Sequence, residues 1–260
     1  MGFAFDHVVL VVPSLQQAGG AFRDAGFRVQ PGGRHDALPT ENALVIFEDG
    51  GYLELLAARD PAWRDELRAT CTTRHWPALL HEASAVARRF LPALARPDGV
   101  ADVVLRGTRL DRFAVEARRR GFVMTGPVPM ERERPDGERL AWSLVLPESR
   151  VLPFLIEDRT SRDRRVPVSP ESTAHPNGTR GVEAVEVFAE DVPTWALAFA
   201  DLFDVAPRVR PDGATELAMQ GVRIVLRQGT PEGARIVRLA GVGALPIDAL
   251  PPGIEPAQSA

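Results

Sequence analysis

A chain of 260 residues, 45% hydrophobic and 25% charged, has the balance of an ordinary globular protein, and its length allows one large domain or two small ones. A net charge of −4 gives no reason to expect nucleic acid or a membrane as partner, and the 31 basic residues, all arginine, leave no lysine for Schiff-base chemistry. The single cysteine, Cys71, excludes an intrachain disulfide and a cysteine-rich zinc cluster, while an opening without a basic n-region and the lack of any apolar run near ~18 residues lead us to expect neither signal peptide nor membrane span, and a cytoplasmic location.

Residues 5–12 (FDHVVLVV) read as a β-branched strand. Ser14 stands three residues before Gln17, a capping-box spacing, and Leu15, Ala18, Phe22 and Ala25 mark one face of a short helix that Gly26 ends. Three strands are predicted next, at 27–30, 42–48 and 51–57, the last two joined by Asp49-Gly50, a tight-hairpin signal. The unit is β-α-β-β-β. Residues 60–97 form an insert whose Leu79, Leu80, Ala83, Val86, Ala87 and Phe90 follow the helical period, which predicts a helix outside the sheet or a dimer surface.

The same order returns at 101–158. ADVVLRG is a strand, Thr108 precedes Asp111 at cap spacing, Leu110, Phe113 and Ala117 share a helix face, and strands follow at 122–131, 139–146 and 151–157. Paired units are thus expected over 1–158, then a linker over 159–179. A third, weaker copy is expected over 180–245, with strands at VEAVEVFA, 215–219, 222–227 and 234–242. The Pro/Ala-rich tail, 246–260, is expected to be loosely ordered.

Repeated βαβββ units with DHVVLVVPSL, PGGRH, TENALV, GYLELLA, RPDG, Trp142 and HPNG resemble the glyoxalase-like domain family of the vicinal oxygen chelate superfamily. The resemblance implies an α+β fold in which paired units curve a mixed sheet into a half-barrel with helices outside and the site on the concave face. It implies metal ligands on the first and last strands of each unit. Carried over, these are His7 and Glu54 in the first unit and Asp102 in the second, with apolar Leu155 aligned to the fourth position. In the third unit Ala184 falls at the His7 position. A divalent metal (Zn, Ni, Fe, Mn or Co) suits that N/O set, and no nucleotide cofactor is expected, since neither a P-loop nor a dinucleotide fingerprint is present.

The residues themselves add to this. Period-two alternation puts His7, Val9 and Val11 on one strand face and Tyr52, Glu54 and Leu56 on another. A carboxylate in a strand as apolar as GYLELLA needs a partner, because burying it unpaired costs several kcal/mol. His35, in a glycine-rich loop that a ligand can approach closely, is a candidate general acid/base, its ordinary pKa of about 6.5 suiting proton transfer. Glu54 is the second candidate catalytic group. Asn42, Tyr52, Trp142 and His175 are candidate ligand contacts, although the Pro-Asn-Gly after His175 also reads as a plain turn. Two functions stay open: a metal-dependent lyase, isomerase or dioxygenase acting on a small oxygenated molecule, and a metal-free protein that sequesters small ligands. A homodimer is compatible with both.

Overall fold

The computed structural model describes residues 2–134, 137–241 and 250–257. The first unit runs β1 (Ala4–Val11), α1 (Leu15–Asp24), β2 (Gln30–Arg34), β3 (Thr40–Ile46) and β4 (Tyr52–Ala58). The Ser14 hydroxyl caps α1 by accepting from the Gln17 N–H at 3.2 Å. Gly26, at φ 82°, supplies the left-handed turn that ends the helix. β2 starts at Gln30, not at 27, because the Phe27 N–H still closes onto the Phe22 carbonyl and the Phe27 ring enters the core.

The second unit repeats the order with β5 (Gly99–Arg106), α5 (Leu110–Arg119), β6 (Met124–Glu133), β7 (Arg139–Pro147) and β8 (Phe154–Asp158). Its helix is not capped by Thr108. The first amides, of Arg109 and Leu110, donate instead to the Glu157 carboxylate of β8 at 2.8 and 3.2 Å.

The eight strands form one sheet in the order β2-β3-β4-β1-β5-β8-β7-β6. β1 and β5 are antiparallel at its centre, with His7 opposite Val104 and Val9 opposite Asp102. This symmetric pairing makes Asp102 the counterpart of His7. It also corrects the fourth position. Val9 pairs with Glu54 in β4, and Val104 pairs with Phe154 in β8, so Phe154, not Leu155, matches Glu54. A one-residue slip exchanges the two faces of a strand: Leu155 lies in the core cluster behind the sheet, while Phe154 faces the concave side. The sheet curls until its edges approach, with Arg132 of β6 close to Gly33 of β2.

The third copy is a complete unit: β9 (Gly181–Ala189), α8 (Val192–Phe203), β10 (Pro207–Val209), β11 (Thr215–Met219) and β12 (Val222–Gln228). β13 (Gly233–Ala240) lies antiparallel to β9 with two register shifts, as β5 does on β1, and β14 (Ile254–Pro256) adds in parallel. The second sheet, β10-β11-β12-β9-β13-β14, therefore repeats the centre of the first. Part of the tail expected to be loose is paired, since Ile254 is fully buried opposite Val237. Residues 242–249 and 258–260 lie outside the described residues. The rear faces of both sheets share one core with α1, α5 and α8, joining Leu10, Leu53 and Val103 to Phe113, Val185, Phe199 and Val237.

The insert forms α2 (Pro61–Thr70), α3 (Trp76–Glu82) and α4 (Ala85–Leu94). The single helical period breaks at Ser84, whose hydroxyl caps α4 through the Ala87 N–H. α4 does not pack outside the half-barrel. Its Val86, Leu91 and Leu94 join Val9, Val11, Val104 and Leu144 on the concave face. Two short helices, α6 (Arg162–Arg165) and α7 (Pro170–Thr173), occupy the segment read as a linker. Among the described residues no helix is long and apolar enough to cross a membrane.

Candidate functional site: a buried carboxylate between two histidines

A cavity of about 80 Å³ opens on the concave face of the eight-stranded sheet. Its walls differ in chemistry. The first unit contributes His7, His35, Asn42, Tyr52 and Glu54, and the second contributes Met130, Trp142, Leu144, Phe154 and Ile156, with Arg132 where the two units meet. Val86 and Phe90 of α4 complete the apolar side.

Glu54 is the centre of the polar wall. His7 Nε2 lies 3.3 Å from one of its carboxylate oxygens, and His35 Nε2 lies 3.7 Å from the other. The Asn42 amide donates to that second oxygen at 2.5 Å. The buried carboxylate anticipated from GYLELLA thus has its partners. Burial pushes its pKa up, but the bond and charge of His7, then His35 and Asn42, outweigh burial and bring it down to about 2.

A bulge in β1 aims the next layer. Neighbouring residues of a regular strand point to opposite faces, but the register of β1 on β5 slips between Phe5 and His7, leaving Asp6 as the extra residue. Asp6 Oδ1 then meets His7 Nδ1 at 2.7 Å, both groups buried. The His7 ring stacks on Tyr52 at 4.5 Å and takes the edge of Phe154 at 6.0 Å. Burial lowers the pKa of His7, yet hydrogen bonds and charge from Asp6 and Glu54 raise it above 6.5 on balance.

Arginines from the expected linker close the base of this wall. Arg165 donates to both Asp6 oxygens at 3.0 and 3.1 Å, to the Tyr52 hydroxyl at 2.7 Å, and to Asp158 through Nε at 2.6 Å. Arg162 adds a bond to Asp6 at 3.1 Å. Asp6 carries the burial penalty of a carboxylate, but Arg165 and His7 hold it well below 3.8.

His35 is the more accessible imidazole, with its side chain 17% exposed. Its Nδ1 meets the Thr40 hydroxyl at 2.9 Å, which leaves Nε2 toward Glu54. Burial lowers its pKa below 6.5, Arg132 adds to the fall, and Glu54 opposes it. One carboxylate therefore serves two imidazoles displaced in opposite directions.

The glycines before His35 admit Asn42 rather than a ligand. A Cβ on Gly32 would lie 2.0 Å from Asn42 Oδ1, and the Gly33 N–H donates to that oxygen at 2.9 Å. Arg132 Nη1 donates to the same oxygen at 3.1 Å. These two hydrogen bonds fix the amide so that its NH2 faces Glu54.

Two expected residues are placed elsewhere. Asp102, fully buried, accepts from Arg89 Nε and Nη2 at 2.6 and 2.8 Å, and Arg89 also bonds the carbonyls of Pro147, Ser149 and Leu152. The carboxylate expected to ligate a metal instead ties α4 to the sheet. His175 lies behind the sheet between Phe27 and Phe47, where its Nδ1 accepts from the Arg28 N–H at 2.9 Å. It holds the segment before β9 against the first unit and does not line the cavity. Sequence reading missed Arg132 and Arg165. Arg132 was legible as the third of Val128, Met130 and Arg132, which share a face of β6, while Arg165 had no signal in a segment rich in arginine.

The metal set implied by the resemblance does not fit these residues. Arg89 occupies Asp102, the fourth position is Phe154, and the Asn42 amide bonds Glu54 on the side of His35. Among the described residues no group of three His, Cys, Asp or Glu side chains is arranged to hold a metal ion. In the second sheet, register puts Ala184 and Val225 where His7 and Glu54 stand in the first.

The comparisons agree with the fold. A hypothetical protein from Staphylococcus aureus is similar over 98% of this chain and 100% of its own, with TM-score 0.72 and 17% identity. A xylose isomerase-like TIM barrel/4-hydroxyphenylpyruvate dioxygenase fusion protein is similar over 91% of this chain and 36% of its own, with TM-score 0.52 and 17% identity. Methylmalonyl-CoA epimerase from Streptomyces coelicolor aligns with 60% of this chain and 98% of its own, at TM-score 0.36 and 17% identity. No curated protein matches by sequence. The family model of the glyoxalase-like domain matches residues 5–203, and the chain belongs to that family.

Proposed function

We propose that the cavity catalyses proton transfer on a small oxygenated organic molecule, an isomerase- or lyase-type reaction. One observation carries this reading: the Glu54 carboxylate, its side chain 12% exposed, stands between His7 Nε2 and His35 Nε2 on the wall of a cavity whose other side is mostly apolar. A satisfied structural histidine does not need a cavity, and a purely sequestering pocket does not need two imidazoles poised on one carboxylate. His35, kept neutral by burial, is the base that takes a proton from a bound molecule at Nε2. His7, whose charge Asp6 and Glu54 favour, is the acid that supplies one. Glu54 stays ionised and orients both rings. The apolar wall excludes water and positions the rest of the molecule.

A divalent ion (Zn, Ni, Fe, Mn or Co) held by His7 and Glu54 alone, without the two positions of the second unit, is a second reading, favoured by the hold of Asp6 on His7 Nδ1. A carboxylate on the outer nitrogen is how metal-ligating imidazoles are commonly oriented. Elemental analysis of protein purified without chelator or affinity-tag metal, beside His7→Ala and Glu54→Ala, decides between the two. Stoichiometric metal lost in both variants selects the second reading.

The proton-transfer reading is tested in D2O, by following with NMR the loss of the α-hydrogen signals from a panel of small 2-oxo acids and α-hydroxy ketones. Exchange above the buffer rate, lost in His35→Ala and Glu54→Gln, is expected. Panel members that bind in the cavity without any enzyme-dependent exchange would leave a sequestering protein instead.

A further inference from the structure

Arg132 is a buried cation that forms no ion pair among the described residues. It is 6% exposed, it lines the cavity, and its Nε–H is buried with no acceptor. Among the described residues the guanidinium's one hydrogen bond runs from Nη1 to the neutral Asn42 amide. No carboxylate lies within ion-pair distance of it among the described residues, whereas the other buried arginines have full sets of partners. Arg89 meets Asp102 and three carbonyls, Arg165 meets Asp6, Asp158 and Tyr52, and Arg64 meets Asp98 with three carbonyls. Buried charges are ordinarily paired, and an unsatisfied charged donor is the costliest polar group to leave in an interior. A guanidinium there is explained by an anion that arrives with the ligand.

We infer that the cavity takes an amphiphilic monoanion, a carboxylate or enolate head on a compact apolar or aromatic body, with the head at Arg132 and the body against the apolar wall. This rests on the reading of the cavity as a ligand site and narrows what it accepts. Asn42 couples the two parts: Arg132 and the Gly33 N–H hold its carbonyl oxygen, and its NH2 holds Glu54. A head group drawn to Arg132 is thereby placed beside the Glu54 cluster. Trp142, Phe154 and Phe90 supply the surface for the body.

The test compares phenylacetate with phenylacetamide, molecules of one shape that differ in charge, by calorimetric titration of the full chain and of Arg132→Leu and Arg132→Lys. A charged hydrogen bond in a desolvated site is worth about tenfold or more in affinity. Wild type is expected to bind the acid at least about tenfold more tightly than the amide. R132L is expected to bring the two together by weakening only the acid, with R132K between. Should R132L not fold, the wild-type ratio and R132K decide. Equal binding of acid and amide to wild type, or an acid preference that survives R132L, overturns the inference and leaves the cavity as a ligand site. Binding of neither molecule overturns the ligand site itself, and the inference with it.

Discussion

The Arg89–Asp102 pair decides whether the second wall of the half-barrel is a metal wall or a structural joint. Arg89→Met would leave Asp102, 2% exposed, with the Val103 N–H as its remaining partner, and would strip donors from the carbonyls of Pro147, Ser149 and Leu152. Removing one member of a buried pair costs about 3–5 kcal/mol, because the other charge stays buried without compensation. For a chain of this size each kcal/mol lowers the melting temperature by about 2–4 °C, so a fall of roughly 6–20 °C is expected. Replacing both members by apolar groups is far cheaper than replacing either. The double variant Arg89→Met/Asp102→Leu is therefore expected to melt no lower than the single variants. Calorimetric melts of the four proteins form a complete cycle. An R89M melt within about 1 kcal/mol of wild type, or losses that simply add, would refute the joint. The effect reaches the cavity as well, since the helix that carries Arg89 also presents Val86 and Phe90 to it.

Other outcomes follow from the polar wall and its supports. With a substrate in hand, kcat/KM should be bell-shaped in pH: His35, lowered, sets the acid limb below 6.5, and His7, raised, sets the alkaline limb above it. For stability the signs are the same: the contribution of His35 is present above 6.5 and lost as pH falls through its folded pKa, while that of His7 is present below 6.5 and lost as pH rises through its own. Gly32→Ala would drive a Cβ into Asn42 Oδ1 and displace the amide from Glu54, so activity should fall on the order of tenfold or more with the fold retained, as circular dichroism and steady-state rates will show. His175→Ala should cost about 2–3 kcal/mol in a urea melt by freeing the Arg28 N–H and emptying the space between Phe27 and Phe47, yet leave ligand affinity unchanged.

The repeat was legible because its signals are local. Ser14 and Gly26 bracket a helix, Asp49-Gly50 turns a hairpin, and β-branched runs alternate with them. The polar wall was legible for the same reason, since His7, His35, Asn42, Tyr52 and Glu54 all sit in the first unit at strand-period positions or in its one glycine loop. What the sequence hid depends on register or on distance along the chain. Leu155 and Phe154 are equally good partners for Glu54 in an alignment, and only the pairing of β8 with β5 separates them. Asp102 looks like a ligand until Arg89, 13 residues earlier on α4, is brought over it. The contacts of Arg165 with Asp6 span 159 residues, so a segment rich in charge read as a solvated linker although it carries a buried support of the site.

Two imidazoles share one carboxylate in a single cavity yet are displaced to opposite sides of the ordinary histidine value, His7 upward by Asp6 and Glu54 and His35 downward by burial and Arg132. Titration of the imidazole nitrogens by NMR in uniformly 15N-labelled protein reads this without any substrate. His7 is expected to titrate above pH 6.5 and His35 below it, with both moving down when Glu54 is replaced by glutamine. Two histidines that titrate together near 6.5, or that ignore Glu54→Gln, would contradict it.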